Sequence, residues 1–441
     1  MSQSAAILDQ HFSPEFERRT YARVTRRIIP FLFLCYIFAF IDRVNVGFAK
    51  LQMQQDLGIS DAVYGIAAGI FFIGYFFFEV PCNIALQKIG AKFWLGPIMI
   101  VWGLVSACTM LVKTAGEFYL VRFLLGVVES GFFPGVILYL TFWYTRKHRA
   151  KMVAAFMTAV PLAGVIGGPI SGGILDKMSS TGGLRGWQWL YLVEAVPSLL
   201  AGIATVFFLH DSPNKAKWLD QRERSLLLHR LAEEEAHKKL SAPGHFTMAD
   251  AFRSSKTWLL CFIYFGFVMG NYGISFWLPQ IVKDTLTKNP LHIGLLTAIP
   301  WACAAIAMVV AGHHSDITGE RRWHIALTGI VGAAAFGVSA IPGISGVLGF
   351  LALTVATAGL ACAYSTFWSL PTAFLSGTAA SAGIAWINSV GNLAGYVSPY
   401  LVGKIRDSVH NMTPALLLLS ACSFGSALIT IFFFKQRTSQ S

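Results

Sequence analysis

The chain has 441 residues, of which 55% are hydrophobic and only 13% charged, with a mean hydropathy of +0.59. A typical soluble domain carries about 25% charged residues, so this composition excludes a soluble globule and points to an integral membrane protein. The net charge of +12 is read as membrane topology, because the basic residues fall between apolar segments, and not as nucleic-acid affinity.

Residues 1–27 form a polar tail with Arg18, Arg19, Arg23, Arg26 and Arg27. The apolar run behind it is too long for a signal-peptide core and has no small-residue cleavage site, so the first helix is read as retained. Apolar stretches of about twenty residues then predict twelve spans. The first six are Ile28–Gln54, Val63–Leu86, Trp94–Val112, Glu117–Tyr144, Ala150–Leu175 and Trp187–Leu209. The second six are Thr257–Ile281, Leu291–Gly312, Ile325–Ile341, Val347–Leu370, Gly383–Gly403 and Ala415–Phe434. They are too long, and too often interrupted by Gly and Pro, to be membrane strands. The expected fold class is an all-α membrane protein with twelve transmembrane helices in two pseudo-symmetric six-helix bundles. One bundle covers residues 28–209 and the other 257–434, with a linker at 210–256 and a tail at 435–441.

An even number of spans puts both termini on one side. On that side fall the arginine-rich tail, Lys88, Lys92, Arg146, Lys147, Arg149, Lys151, the basic residues of the linker, Arg321, Arg322, Lys435 and Arg437. The positive-inside rule makes that side cytoplasmic, with both termini and the linker on it, and the protein is expected to be a multi-pass protein of the cell's inner (plasma) membrane, as the family resemblance given below implies. Within the linker, Lys217–Leu240 groups leucines with dense charge of both signs, which predicts a short helix on the cytoplasmic surface.

Chemistry concentrates where charges lie inside spans. A charged side chain at the centre of a membrane helix costs about 2.5–3.5 kcal/mol, so such a residue is a functional candidate by default. Asp42 and Arg43 sit together in FIDRVNVGFA, Phe40 to Ala49. Arg122 and Glu129 stand in the fourth span, seven residues apart and so on one helix face. At 1.5 Å per residue, Asp42 is about 21 Å and Arg122 about 8 Å from the starts of their helices on opposite sides, which are similar depths in a core of about 30 Å. Asp42 is therefore expected to hold Arg122. Asp42 and Glu129 are the candidate proton carriers, and Arg43 the candidate anion-binding group, because a guanidinium forks onto a carboxylate and stays charged. The histidines all lie in loops, tails or helix ends, which leaves no histidine relay in the membrane. The seven cysteines lie in apolar segments and offer no metal site. No GxSxG or HExxH pattern supports an enzyme, and no cofactor motif is present.

The halves repeat each other weakly. GAKFW (Gly90–Trp94) follows the second span and SDITGERRW (Ser315–Trp323) the eighth, and TFW recurs at Thr141–Trp143 and Thr366–Trp368. A duplicated six-helix unit with a central site is the plan of many secondary transporters. Together with FIDRVNVGFA, VRFLLGVVESGFFPG (Val121–Gly135) and NLAGYVSP (Asn392–Pro399), these segments resemble the major facilitator superfamily and its anion:cation symporter family. The resemblance implies proton-coupled import of a small organic anion by alternating access, with the lipid bilayer as surroundings, no nucleic-acid partner and a monomeric carrier. It also places Tyr75, Ser365, Thr366, Trp368, Asn388 and Asn392 around Arg43 as donors and a stacking surface. NYG (Asn271–Gly273) stands where some animal members add a second arginine, so Asn271 joins the candidates. Asp316, Arg321 and Arg322 look like the family's gating loop, and Glu79 and Glu194 like structural positions near helix ends. With Arg122 held by Asp42, one free guanidinium ranks an aldonate or related hydroxy acid first, tartrate second and an aromatic acid third. The alternative is a drug:proton antiporter of the same superfamily, since Gly164, Gly168, Pro169, Gly172 and Gly173 fit GxxxGPxxGG. That spacing also serves close helix packing, which is the preferred reading.

Overall fold

The computed structural model describes residues 12–240, 254–374 and 377–433. The beginning of the N-terminal tail, linker residues 241–253, and the end of the chain including the tail at 435–441 lie outside the described residues. Those described form eighteen α-helices and no strand. The first set comprises α1 (Pro14–Val44), α2 (Val46–Leu57), α3 (Asp61–Ile89), α4 (Ala91–Cys108), α5 (Ala115–Glu129), α6 (Phe132–Thr141), α7 (Arg146–Met157), α8 (Ala159–Lys177) and α9 (Gly186–Phe208). A linker helix, α10 (Gln221–Leu240), follows. The second set comprises α11 (Ser255–Thr285), α12 (Pro290–Thr318), α13 (Arg322–Ser339), α14 (Gly346–Phe367), α15 (Ser369–Phe374), α16 (Gly377–Asn392), α17 (Ala394–Val409) and α18 (Thr413–Phe433).

Local sequence sets the helix ends. Ser60, Thr114, Asn289 and Ser345 each accept a hydrogen bond from the backbone amide three residues on, which satisfies a donor the helix leaves open. Gly58 and Gly319 close α2 and α12 in the left-handed conformation, at φ of 61° and 66°.

Among the described residues, ten helical segments are long and apolar enough to cross a membrane, against twelve expected. The ninth expected span is α13, only 18 residues long, with a first turn made polar by Arg322 and His324. The eleventh is split at Leu393 into α16 and α17, of 16 residues each. Splitting recurs along the chain: α1 passes into α2 at Asn45, α5 into α6 at Ser130 and Gly131, and α14 into α15 at Trp368. Arg43, Glu129, Thr366 and Asn392 each lie within two residues of such a break. Discontinuous helices at mid-membrane are where transporters place their sites.

On the face carrying the start of α1, the terminal face, the linker helix is bound to the first set by charge. Arg23 reaches Glu223 at 2.7 Å, Arg230 reaches Glu17 at 2.9 Å, and the Arg146 amide donates to Glu234. On the far face the two sets meet backbone to backbone. A Cβ on Gly294 would fall 2.2 Å from the Gly168 carbonyl oxygen, and one on Gly172 2.4 Å from that of Pro290. Gly65 and Gly403 make equally close approaches between α3 and α17. The GxxxGPxxGG motif is thus a packing surface: Gly164 lies under the Trp301 ring and Gly168 and Gly172 under α12.

Gly294→Leu is expected to prop the far face open. Overpacking a tight contact costs about 1–3 kcal/mol, which shifts a two-state ratio by about 5- to 150-fold. The check is labelling of a cysteine at Thr297, 3% exposed, by an impermeant maleimide in a background without native cysteines. Unchanged protection would show that this contact does not hold the face shut.

Candidate functional site

Adjacent residues on a helix point about 100° apart, and Asp42 and Arg43 are accordingly divided between two environments. Asp42 turns into its own set. It is fully buried and accepts hydrogen bonds from Trp102 Nε1 at 2.8 Å, Ser106 Oγ at 3.2 Å and Ser198 Oγ at 2.5 Å, from α4 and α9. Arg43 turns toward the centre. Its guanidinium engages Glu129 Oε1 through both Nε, at 3.0 Å, and Nη2, and its Nη1 reaches the Tyr272 hydroxyl of the second set at 3.5 Å. The rings of Phe71 and Tyr75 lie against it, 5.2 and 5.6 Å from the guanidinium carbon.

The expected Asp42–Arg122 pair is not formed. Arg122 is fully buried, yet its nearest acceptors are the Ala67 and Ala68 carbonyl oxygens at 3.4 and 3.5 Å, and its Nη1 has no partner. The reason is directional. Asp42 is turned to three donors within its bundle, whereas Arg122 is drawn over Phe71, 5.2 Å from the ring. Gly126 permits that approach, since a Cβ there would fall 1.9 Å from the Phe71 carbonyl oxygen. The same Phe71 ring therefore carries both guanidinium groups, one paired with a carboxylate and one not.

Among the other candidates, Asn271 receives the Ser275 hydroxyl on its carbonyl, and Ser365 bonds back to the Cys362 carbonyl. Thr366 Oγ1 is buried without a partner. Trp368 packs edge-on to Tyr264, whose hydroxyl meets that of Tyr364 at 3.3 Å. Asn392 is half-buried at the end of α16. Asn388 is expected beside the substrate, but its amide is taken by Glu79, 3.3 Å away across the two sets, with Ser389 on the other oxygen. Arg321 binds Asp316 at 2.6 Å, and Arg322 donates to the Ile431 carbonyl, so the expected gating loop ties α12, α13 and α18 together.

Sequence reasoning missed three features. Tyr272, inside the NYG segment read only for Asn271, is the second set's contact to Arg43. Trp102 and Ser198 hold Asp42, and nothing local to them signals it. A far-face charge cluster also went unread: Lys50 pairs with Asp61 at 2.7 Å, and Arg406 with Asp61 and Asp284 at 3.1 and 2.7 Å. Lys50 and Asp61 come from the first set and the other two from the second, so this cluster latches the sets together. The intramembrane position of Lys50 was the available signal.

The family model described as Major Facilitator Superfamily matches residues 32–399. The chain belongs to the Major Facilitator Superfamily. It is therefore a transport protein and a multi-pass membrane protein. A relative from Agrobacterium vitis named for tartrate transport is 45% identical over 95% of this chain and 92% of its own length. One from Acinetobacter baumannii named as a quinolone resistance transporter is 39% identical, covering 96% of each. Among solved structures, the inward-open xylose transporter XylE of E. coli superposes with a TM-score of 0.74, covering 94% of this chain and 97% of its own, at 14% identity. That last likeness concerns the superfamily's fold alone.

Proposed function

We propose that this protein is a proton-coupled symporter importing a small hydroxylated carboxylate, acting as a monomer in the inner membrane with both termini cytoplasmic. The observation that carries the reading is the Arg43–Glu129 pair, in which the anion-binding group is occupied by the protein's own carboxylate. A substrate carboxylate and Glu129 compete for one guanidinium. Protonation of Glu129 at Oε2, which has no partner, weakens its hold and releases Arg43 to the substrate. Loss of that proton on the cytoplasmic side restores the pair and expels the anion. The two bundles rock about this point, with the far-face latch of Lys50, Asp61, Asp284 and Arg406 closing the outer side. Asp42, held only by neutral donors, is the second proton site.

With Arg122 free of Asp42, a second guanidinium stands near the first, and a hydroxylated dicarboxylate such as tartrate moves ahead of an aldonate. The relative named for tartrate transport supports this order. Uptake into proteoliposomes under an imposed proton gradient tests it, with tartrate, aldonates, phthalate and hydroxyphenylacetate as the panel. Arg122→Gln is expected to weaken binding of the dicarboxylate about 10- to 100-fold, from one charged hydrogen-bonding group worth about 1.5–3 kcal/mol, and to leave a monocarboxylate analogue nearly unaffected. Equal losses for both would remove Arg122 from substrate contact. The second reading, a drug:proton antiporter, is favoured by the Acinetobacter relative. Resistance to a drug on overexpression, without gradient-driven uptake of any carboxylate, would replace the first reading with it.

A further inference from the structure

Glu194, on α9, is a buried carboxyl that the transport reading does not use. It is 6% exposed, and Ser171 Oγ of α8 donates to its Oε1 at 2.6 Å. Its other oxygen, Oε2, is buried with no partner. Beside it stands the side-chain amide of Asn45, 1% exposed, near enough to act on the Glu194 carboxyl but outside full hydrogen-bond geometry. No cation answers Glu194 among the described residues. Of the charged and titratable groups on the elements packed around it, Asp42 of α1 is another acid, Arg43 is engaged by Glu129, and Lys50 of α2 is engaged by Asp61. Tyr191, one turn back on α9, has its own hydroxyl unpartnered, and α4 presents Trp102 and Ser106, both spent on Asp42.

An ionised carboxylate without a counter-ion does not persist in such a place, because the desolvation it suffers is not repaid. A proton on Oε2 resolves the arrangement, since it removes the unpaired charge and leaves Ser171 as donor to Oε1. The site also has an entrance. Ser171 lines a small cavity large enough for water, enclosed by Ile41 and Val44 of α1, Gly167 and Gly168 of α8, Leu278 of α11 and Thr297 of α12. That cavity lies at the contact where the two helix sets meet.

The geometry points to Glu194 as a further proton-binding residue, loaded and emptied through the Ser171 hydroxyl from the cavity between the two sets. In the relay, Ser171 Oγ takes a proton from a hydronium in the cavity, which is left as water, while handing its own proton to the ionised Glu194 at the facing oxygen; the carboxyl then turns over, so that the proton sits on the far oxygen and Ser171 again donates to the near one. Ser198, one turn beyond Glu194 on α9, donates to Asp42, so both acids depend on the same turn of helix. The inference goes beyond the symport reading and stands without it, because proton occupancy is measured with no substrate present.

The test is infrared titration of the full-length protein in lipid bilayers, followed by exchange into heavy water. Glu194→Gln is expected to remove one protonated-carboxyl stretching band. Ser171→Ala is expected to keep that band, shift it to higher wavenumber through loss of a donor, and slow its exchange. A folded Glu194→Gln protein that retains every protonated-carboxyl band overturns the assignment. If that variant does not fold, Ser171→Ala alone decides, since a set of bands unmoved in position and exchange rate overturns it equally. Failure of carboxylate uptake in proteoliposomes would strike the symport reading and leave this spectrum untouched.

Discussion

Glu129→Gln is expected to abolish uphill accumulation of substrate while leaving counterflow exchange intact. Glu129 is 1% exposed and its one engaged oxygen receives two bonds from Arg43. Glutamine keeps the size of the side chain but carries no charge, so it reproduces the protonated carboxyl at every pH. In the proposed cycle Arg43 then loses the competitor for the substrate anion, and binding should no longer depend on proton occupancy at this position. Affinity should be retained or improved at alkaline pH, where the native protein would have Glu129 ionised and Arg43 occupied. Breaking a buried pair by removing one partner costs about 3–5 kcal/mol of stability when nothing replaces it, and bound substrate should restore part of that loss. The measurement is paired: counterflow of labelled substrate, and accumulation driven by an imposed proton gradient, in the same proteoliposomes. Accumulation at the normal level would remove Glu129 from the coupling.

Arg43→Lys should reduce substrate affinity about 10- to 100-fold although the charge is kept. Arg43 spends Nε and Nη2 on one carboxylate oxygen and Nη1 on Tyr272, a planar arrangement that an ammonium cannot copy. One charge-assisted hydrogen bond is worth about 1.5–3 kcal/mol, which converts to that range of affinity. The shorter-reaching lysine also loses the stacking against Phe71 and Tyr75. Direct binding in detergent, read by calorimetry, separates this loss from any effect on transport rate. Native affinity in the lysine variant would place the substrate elsewhere.

The sequence by itself determined the class, the helical architecture and which residues were worth attention, because these depend on local quantities. Hydropathy over about twenty residues decides whether a segment crosses a bilayer, and the cost of a charge in hydrocarbon marks Asp42, Arg43, Arg122 and Glu129 without any knowledge of their neighbours. Partnership was decided only by the tertiary structure. Asp42 and Arg43 are neighbours in the chain, yet the turn of the helix sends one to Trp102, Ser106 and Ser198 and the other to Glu129, 86 residues away. Depth along two helices made Asp42 and Arg122 look paired, but depth does not fix azimuth, and Arg122 settled on Phe71 instead. Tyr272, the Glu79–Asn388 bridge and the Lys50–Asp61–Arg406–Asp284 latch each join two helix sets distant in sequence. Such contacts depend on how one bundle is rotated against the other, and side chains more than two hundred residues apart leave no local pattern that encodes that rotation.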